Sequence, residues 1–160
     1  MIRSSYLYVF FAAFIAIAPV FFPESVITIV NYAGLFGLVS IGLILLTGIG
    51  SMTSFGQAAF VGVGAYTSAY LCTVSQWSPW FALLVGVAIA VLIALILGSL
   101  TLKLAGHYLP LSTIAWGLSL YYLAGNLQFL GGHSGIGAVP SISFFGIAID
   151  SGRSFTYFVW

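Results

Sequence analysis

Apolar residues run through this chain in blocks of sixteen to twenty-three positions, separated by short clusters of glycine, proline and polar residues. A helix needs about 20 consecutive apolar residues to cross the ~30 Å hydrocarbon core of a bilayer. The blocks predict five spanning helices, over residues 6–22, 26–46, 58–73, 80–102 and 109–130. Phe155 to Trp160 reads as the start of a sixth. Pro23-Glu24-Ser25 separates the first two blocks and suits a helix start. Trp77 lies within the turn at Ser75–Pro79 and Trp80 follows it, as expected at a membrane interface. Pro110 falls in the first turn of the fifth block, where a missing N–H costs little.

One block boundary differs from the rest. Thr47 to Gln57 reads TGIGSMTSFGQ, with three glycines, several hydroxyls and no charge. Irregular backbone at membrane depth survives only where protein or a watery cavity satisfies its polar groups. The block that follows, 58–73, is short for a span. A short span beside a glycine-interrupted segment points to a transport route. The segment is therefore expected to break the helical path beside a substrate route rather than form an ordinary solvent loop.

Charge sharpens the membrane reading. Five charged residues serve 160 positions, and none lies among the 78 residues from 25 to 102. Roughly a quarter of an ordinary soluble domain is charged. With 62% hydrophobic residues and a mean hydropathy of +1.21, the chain has the composition of a polytopic membrane protein. The fold class expected is all-α, a polytopic membrane helix bundle occupying 1–160. Arg3 ahead of an apolar run imitates a signal peptide, but Pro19 after Ala16-Ile17-Ala18 opposes cleavage, so the first block is read as a retained span. With the N-terminus inside, Arg3 and Lys103 lie in the cytoplasm and the 131–140 loop lies outside; Arg153 runs against the positive-inside trend.

The same inventory excludes several function classes. No basic run offers a nucleic-acid footprint. Cys72 is the single cysteine, and His107 and His133 sit in loops without acidic neighbours, so no metal set or other cofactor site is expected. No Ser/His/Asp set or carboxylate pair can be assembled, so the chain is not read as an enzyme. No GxxxxGK[ST] loop is present, so ATP hydrolysis would fall to other subunits. No ionisable residue lies inside a span, which argues against a proton relay.

Small residues recur at helical spacing in two blocks. Ala58, Gly62, Ala65 and Ala69 share a face of the third block, and Ala82, Gly86, Ala90, Ala94 and Gly98 share a face of the fourth. Lipid supplies no hydrophobic drive for helix association, so small faces that allow close backbone approach are read as packing seams. Most hydroxyls within the spans are expected to bond back to their own helix. Gln57 differs, because its amide carries two donors and an acceptor and stands at the glycine-rich junction. Gln57 is the first candidate for route contact, Ser54 the second and Asn31 the third.

The run from Gly37 to Leu71, with Ser54-Phe55-Gly56-Gln57-Ala58-Ala59-Phe60 followed by Gly62, Gly64, Ala65 and Tyr66, resembles the LivM-type permease subunit of branched-chain amino acid ABC transporters. Gln57 stands where many members carry His. A second segment, HYLPLSTIAWGLSLYYLAGNLQFLGGHSGI within Leu104 to Pro140, is similar to the family's span and external loop that follow its basic cytoplasmic turn. The resemblance implies a type II-like ABC importer permease, of which this chain is the N-terminal half, in the bacterial inner membrane. It further implies a second permease subunit, two cytoplasmic ATPase subunits and a periplasmic substrate-binding protein. The coupling helix that meets the ATPase is expected in the missing half, which makes the chain a fragment or an incomplete product. Competing readings are a permease for urea, amides or sugars, and a non-transporting membrane anchor or assembly subunit.

Overall fold

The computed structural model describes residues 17, 19–101, 103, 104, 106, 108–144 and 147–160. Most of the first apolar block, 6–22, and His107 lie outside the described residues. The chain divides into two compact units, Met1–Ile41 with Ser143–Trp160, and Gly42–Ile142.

The described structure is all-α apart from one small hairpin. Helix α1 spans Glu24–Ile44. The Pro23 carbonyl accepts from the Val26 and Ile27 amides, and Glu24 places a negative charge at the helix's positive end. Five residues of π-helix, Leu45–Ile49, carry the helical path past the predicted end at 46. The Gly50 amide then closes on the Leu45 carbonyl at 3.2 Å and the Met52 amide on Leu46 at 3.3 Å, each one step wider than the last. Ser51 takes a positive φ of 51°, and the chain leaves helical geometry until Gln57.

Helix α2 spans Gln57–Thr73 and α3 spans Pro79–Thr101, joined by a tight turn in which Gln76 Nε2 donates to the Thr73 carbonyl at 2.7 Å. Pro79 opens α3, where its fixed φ fits and no amide is missed. Helix α4 spans Tyr108–Asn126. It ends four residues before the apolar block does. Leu127 is extended, and two 3-10 turns, Gln128–Leu130 and Gly132–Ser134, fold the 127–134 segment back on itself. Antiparallel strands β1 (Ser143–Phe144) and β2 (Ile147–Ala148) pair Ser143 with Ala148. Helix α5, Gly152–Val159, follows, capped by Ser151, whose Oγ accepts from the Ser154 amide.

Packing is inverted relative to a water-soluble protein. Among the described residues the buried apolar side chains are Ile27, Cys72 and Ala82, and the buried polar ones are Asn31, Thr101 and Thr156. The large aliphatic side chains point outward, with Leu84 and Leu95 among them. Glu24–Ile49 and Pro79–Thr101, of 26 and 23 residues, are long and apolar enough to cross a membrane. In lipid, outward Leu and Ile carry no penalty, and the interior is left to small residues that let backbones meet.

Within the Gly42–Ile142 unit, that meeting occurs between α2 and α3. A Cβ added at Gly86 would stand 2.5 Å from the Ser68 hydroxyl and 2.9 Å from the Gly64 carbonyl. Ser68 Oγ donates to the Ala82 carbonyl at 3.2 Å. Ala82 and Gly86 are buried, and Ala90, Ala94 and Gly98 are half-buried further along α3. On α2 the residues that meet α3 here are Gly64 and Ser68. Ala58 and Ala65 are exposed, Ala69 is half-buried, and a Cβ at Gly62 would meet nothing within 4 Å. Gly62 lies roughly 160° round the helix from Gly64, at ~100° per residue, so the two glycines serve different faces.

In the other unit, α5 lies against α1. Asn31 Nδ2 donates to the Gly152 carbonyl at 2.9 Å, and a Cβ at Gly34 would stand 2.5 Å from Val159 Cγ1. Phe155 to Trp160 is thus largely α5 and the residue that follows it.

A candidate substrate route beside an unwound segment

The unwound residues Ser51–Gly56 are held from two sides. Ser54 Oγ accepts from the Gly56 amide at 3.3 Å, a local turn of the kind short hydroxyl side chains favour. The Phe55 amide donates to Thr113 Oγ1 on α4 at 3.0 Å. The same hydroxyl donates to the Pro110 carbonyl at 2.8 Å. Gly56 is buried, and a Cβ there would come within 3.3 Å of the Thr113 carbonyl, so the segment runs backbone to backbone past α4.

A cavity of about 390 Å³ opens beside this segment. Met52, Thr53, Ser54, Gly56 and Gln57 line one wall. The other walls are mostly apolar: Leu46, Phe60, Leu97, Leu109 and Trp116. Gln57, half-buried at the start of α2, makes no side-chain hydrogen bond with a described residue, which leaves its amide free toward a ligand. Thr101 also lines the cavity, but its hydroxyl bonds back to the Leu97 carbonyl at 2.8 Å. The free polar groups therefore gather on the wall built by the break, opposite aliphatic and aromatic surface.

Of the three residues singled out for route contact, Gln57 and Ser54 line this cavity and Asn31 does not. Asn31 is 6% exposed, with its Nδ2 committed to Gly152 and its Oδ1 without a partner. Thr53, Thr113 and Trp116 reach the cavity and were not singled out as site residues. Nothing in their local sequence separates them from neighbours that merely pack. Ser40, Thr47 and Asn126 do bond back to their own helix carbonyls. Thr113 does so as well, and its second bond, to Phe55, is 58 positions away in sequence.

A second, larger cleft of about 790 Å³ lies among α2, α3 and α4. Its lining is mostly aliphatic, with Tyr66, Tyr70, Tyr121 and Phe129 among its aromatic members, and Tyr70 meets Phe129 edge-on at 5.9 Å. Gly62 lines it, which accounts for that glycine's open side.

Apolar helices with their aliphatic side chains outward, interrupted by an uncharged unwound segment beside a cavity, fit the construction of a helical membrane permease. The sequence profile of the branched-chain amino acid transport system permease component matches residues 25–160, and the chain belongs to that family. No curated protein and no solved structure matches the chain.

Proposed function

We propose that this permease takes up branched-chain amino acids as one membrane subunit of an ABC importer, with ATP hydrolysed by separate subunits. The observation that carries the reading is the unwound Ser51–Gly56 segment lining a cavity with Gln57 and Ser54 on its polar wall. A branched-chain amino acid is a zwitterion with an aliphatic tail. The free Gln57 amide, the Ser54 hydroxyl and the positive end of α2 suit the charged groups without a fixed side-chain charge. Leu46, Leu97, Leu109 and Trp116 suit the tail.

The family membership supports a set of partners: a second permease subunit, two cytoplasmic ATPases and a periplasmic binding protein that delivers substrate. The location proposed is the bacterial inner membrane, with the N-terminus inside and spans along the first apolar block, 6–22, and along helices α1 to α4. Asn31 is left out of the proposed route, because its amide is committed to Gly152.

Uptake of radiolabelled leucine tests the reading. Gln57→Leu keeps the volume and removes the amide. It should cut uptake about tenfold or more, the loss expected when a site's polar group toward substrate disappears, with expression and complex assembly unchanged. Normal uptake by that variant would remove Gln57 and the break from the route.

A further inference from the structure

The six unwound residues Ser51–Gly56 need something to keep them in place. The bonds within Ser51–Gly56 are local: Met52 reaches back to Leu46 and Gly56 to Ser54. The described bond from this segment to a later helix is that of the Phe55 amide to Thr113 Oγ1. The hydroxyl is fixed for that task. It donates its proton to the Pro110 carbonyl, so its lone pairs are turned toward the incoming amide. Gly56 supplies an independent sign of the same docking, because its lack of a side chain lets the segment lie against the Thr113 carbonyl. Valine has threonine's shape but neither donor nor acceptor, so Thr113→Val removes the bond that ties the Phe55 N–H to α4.

We propose that Thr113 is a positioning residue: its hydroxyl latches the unwound segment onto the first turn of α4 and so aims Ser54 and Gln57 into the cavity. Thr113 acts on transport through that segment and not by contact with substrate. The proposal rests on the route reading above only for its effect on uptake; the latch itself is a statement about the segment's position.

The test uses the assembled transporter in membranes, with Thr53→Cys as a probe on the cavity wall and Cys72, which is buried, as the other thiol of this chain. Thr113→Val should speed labelling of that probe by about fivefold, the factor corresponding to one ordinary hydrogen bond. Leucine uptake should fall by a similar factor through both KM and maximal rate. Thr113→Ser retains the hydroxyl and should restore both. Gly56→Ala disturbs the same contact from the opposite side, and its effect on labelling should combine with that of Thr113→Val less than additively. Unchanged labelling in Thr113→Val overturns the latch, whether or not uptake falls. Equal loss in Thr113→Val and Thr113→Ser overturns it too, since packing rather than the hydroxyl would then be at work. Faster labelling with normal uptake upholds the latch and removes the route reading instead.

Discussion

Ser68 on α2 donates its hydroxyl to the Ala82 carbonyl on α3 at 3.2 Å, across a seam where Gly86 has no room for a side chain. The bond and the close approach depend on each other. Only a glycine at 86 brings the helices near enough for a short serine to reach the facing backbone.

Gly86→Ala should therefore destabilise the protein by about 1–3 kcal/mol, the usual cost of overpacking. Gly98→Ala, where a Cβ meets nothing within 4 Å, should stay within about 0.5 kcal/mol of the parent. Ser68→Ala should cost about 0.6 kcal/mol, typical of a cross-helix bond in a membrane. It should also relieve only part of the Gly86→Ala penalty, because the Gly64 carbonyl still stands 2.9 Å from the new Cβ. Thermal unfolding in detergent measures all four; equal behaviour of Gly86→Ala and Gly98→Ala would place the seam elsewhere.

The carbonyl of Gly152 accepts two side-chain bonds, from Asn31 Nδ2 at 2.9 Å and from Thr156 Oγ1 at 3.0 Å. Losing one donor leaves the other, so Asn31→Leu or Thr156→Val alone should cost about 1 kcal/mol. The double change should cost more than the sum, since it leaves a carbonyl with no side-chain donor. Arg153 is exposed beside this carbonyl. Trypsin cleavage after Arg153 is the readout, slow in each single variant and fast in the double. Rapid cleavage in Asn31→Leu alone would show that Thr156 holds nothing by itself.

Gly131 has a φ of +79°, and a Cβ on it would collide with the Gly135 carbonyl. Gly131→Ala should cost about 1–3 kcal/mol or more in backbone strain and collision. Gly137→Ala should be silent, as its Cβ meets nothing within 4 Å. Yield and melting temperature of the two variants, compared side by side, decide this; a tolerated Gly131→Ala would mean that the loop adopts another form in the membrane.

Topology has its own test. Lys103 and Ser134 are both exposed and flank α4. Cysteines placed there should react with an impermeant reagent from opposite faces of the membrane. Labelling from one face would mean that α4 does not cross.

The apolar blocks, the scarcity of charge and the glycine-rich interruption were all legible in the residues themselves. Lipid solubility depends on composition, and helix is the form in which an apolar segment satisfies its own backbone there. The interruption was placed at 47–57 by its glycines and hydroxyls, and the structure narrows the non-helical part to Ser51–Gly56, after a π turn. The end of α4 at Asn126 was not legible, because the apolar block continues to Leu130 while the backbone already turns toward the 131–135 glycines.

Small-residue spacing marked the Ala82 and Gly86 face of α3, but which face of α2 meets it was decided by the tertiary structure. In water, apolar periodicity marks the buried face of a helix. In lipid both faces are apolar, so that signal vanishes. On α2, spacing picked out the face of Ala58, Gly62, Ala65 and Ala69 as the seam, whereas the residues that meet α3 at Ala82 and Gly86 are Gly64 and Ser68. Asn31 and Gln57 were both read from the sequence as amides that could face a route. Folding ties Asn31 to Gly152, 121 positions away, and leaves Gln57 at a cavity, and no local pattern links Asn31 to that partner.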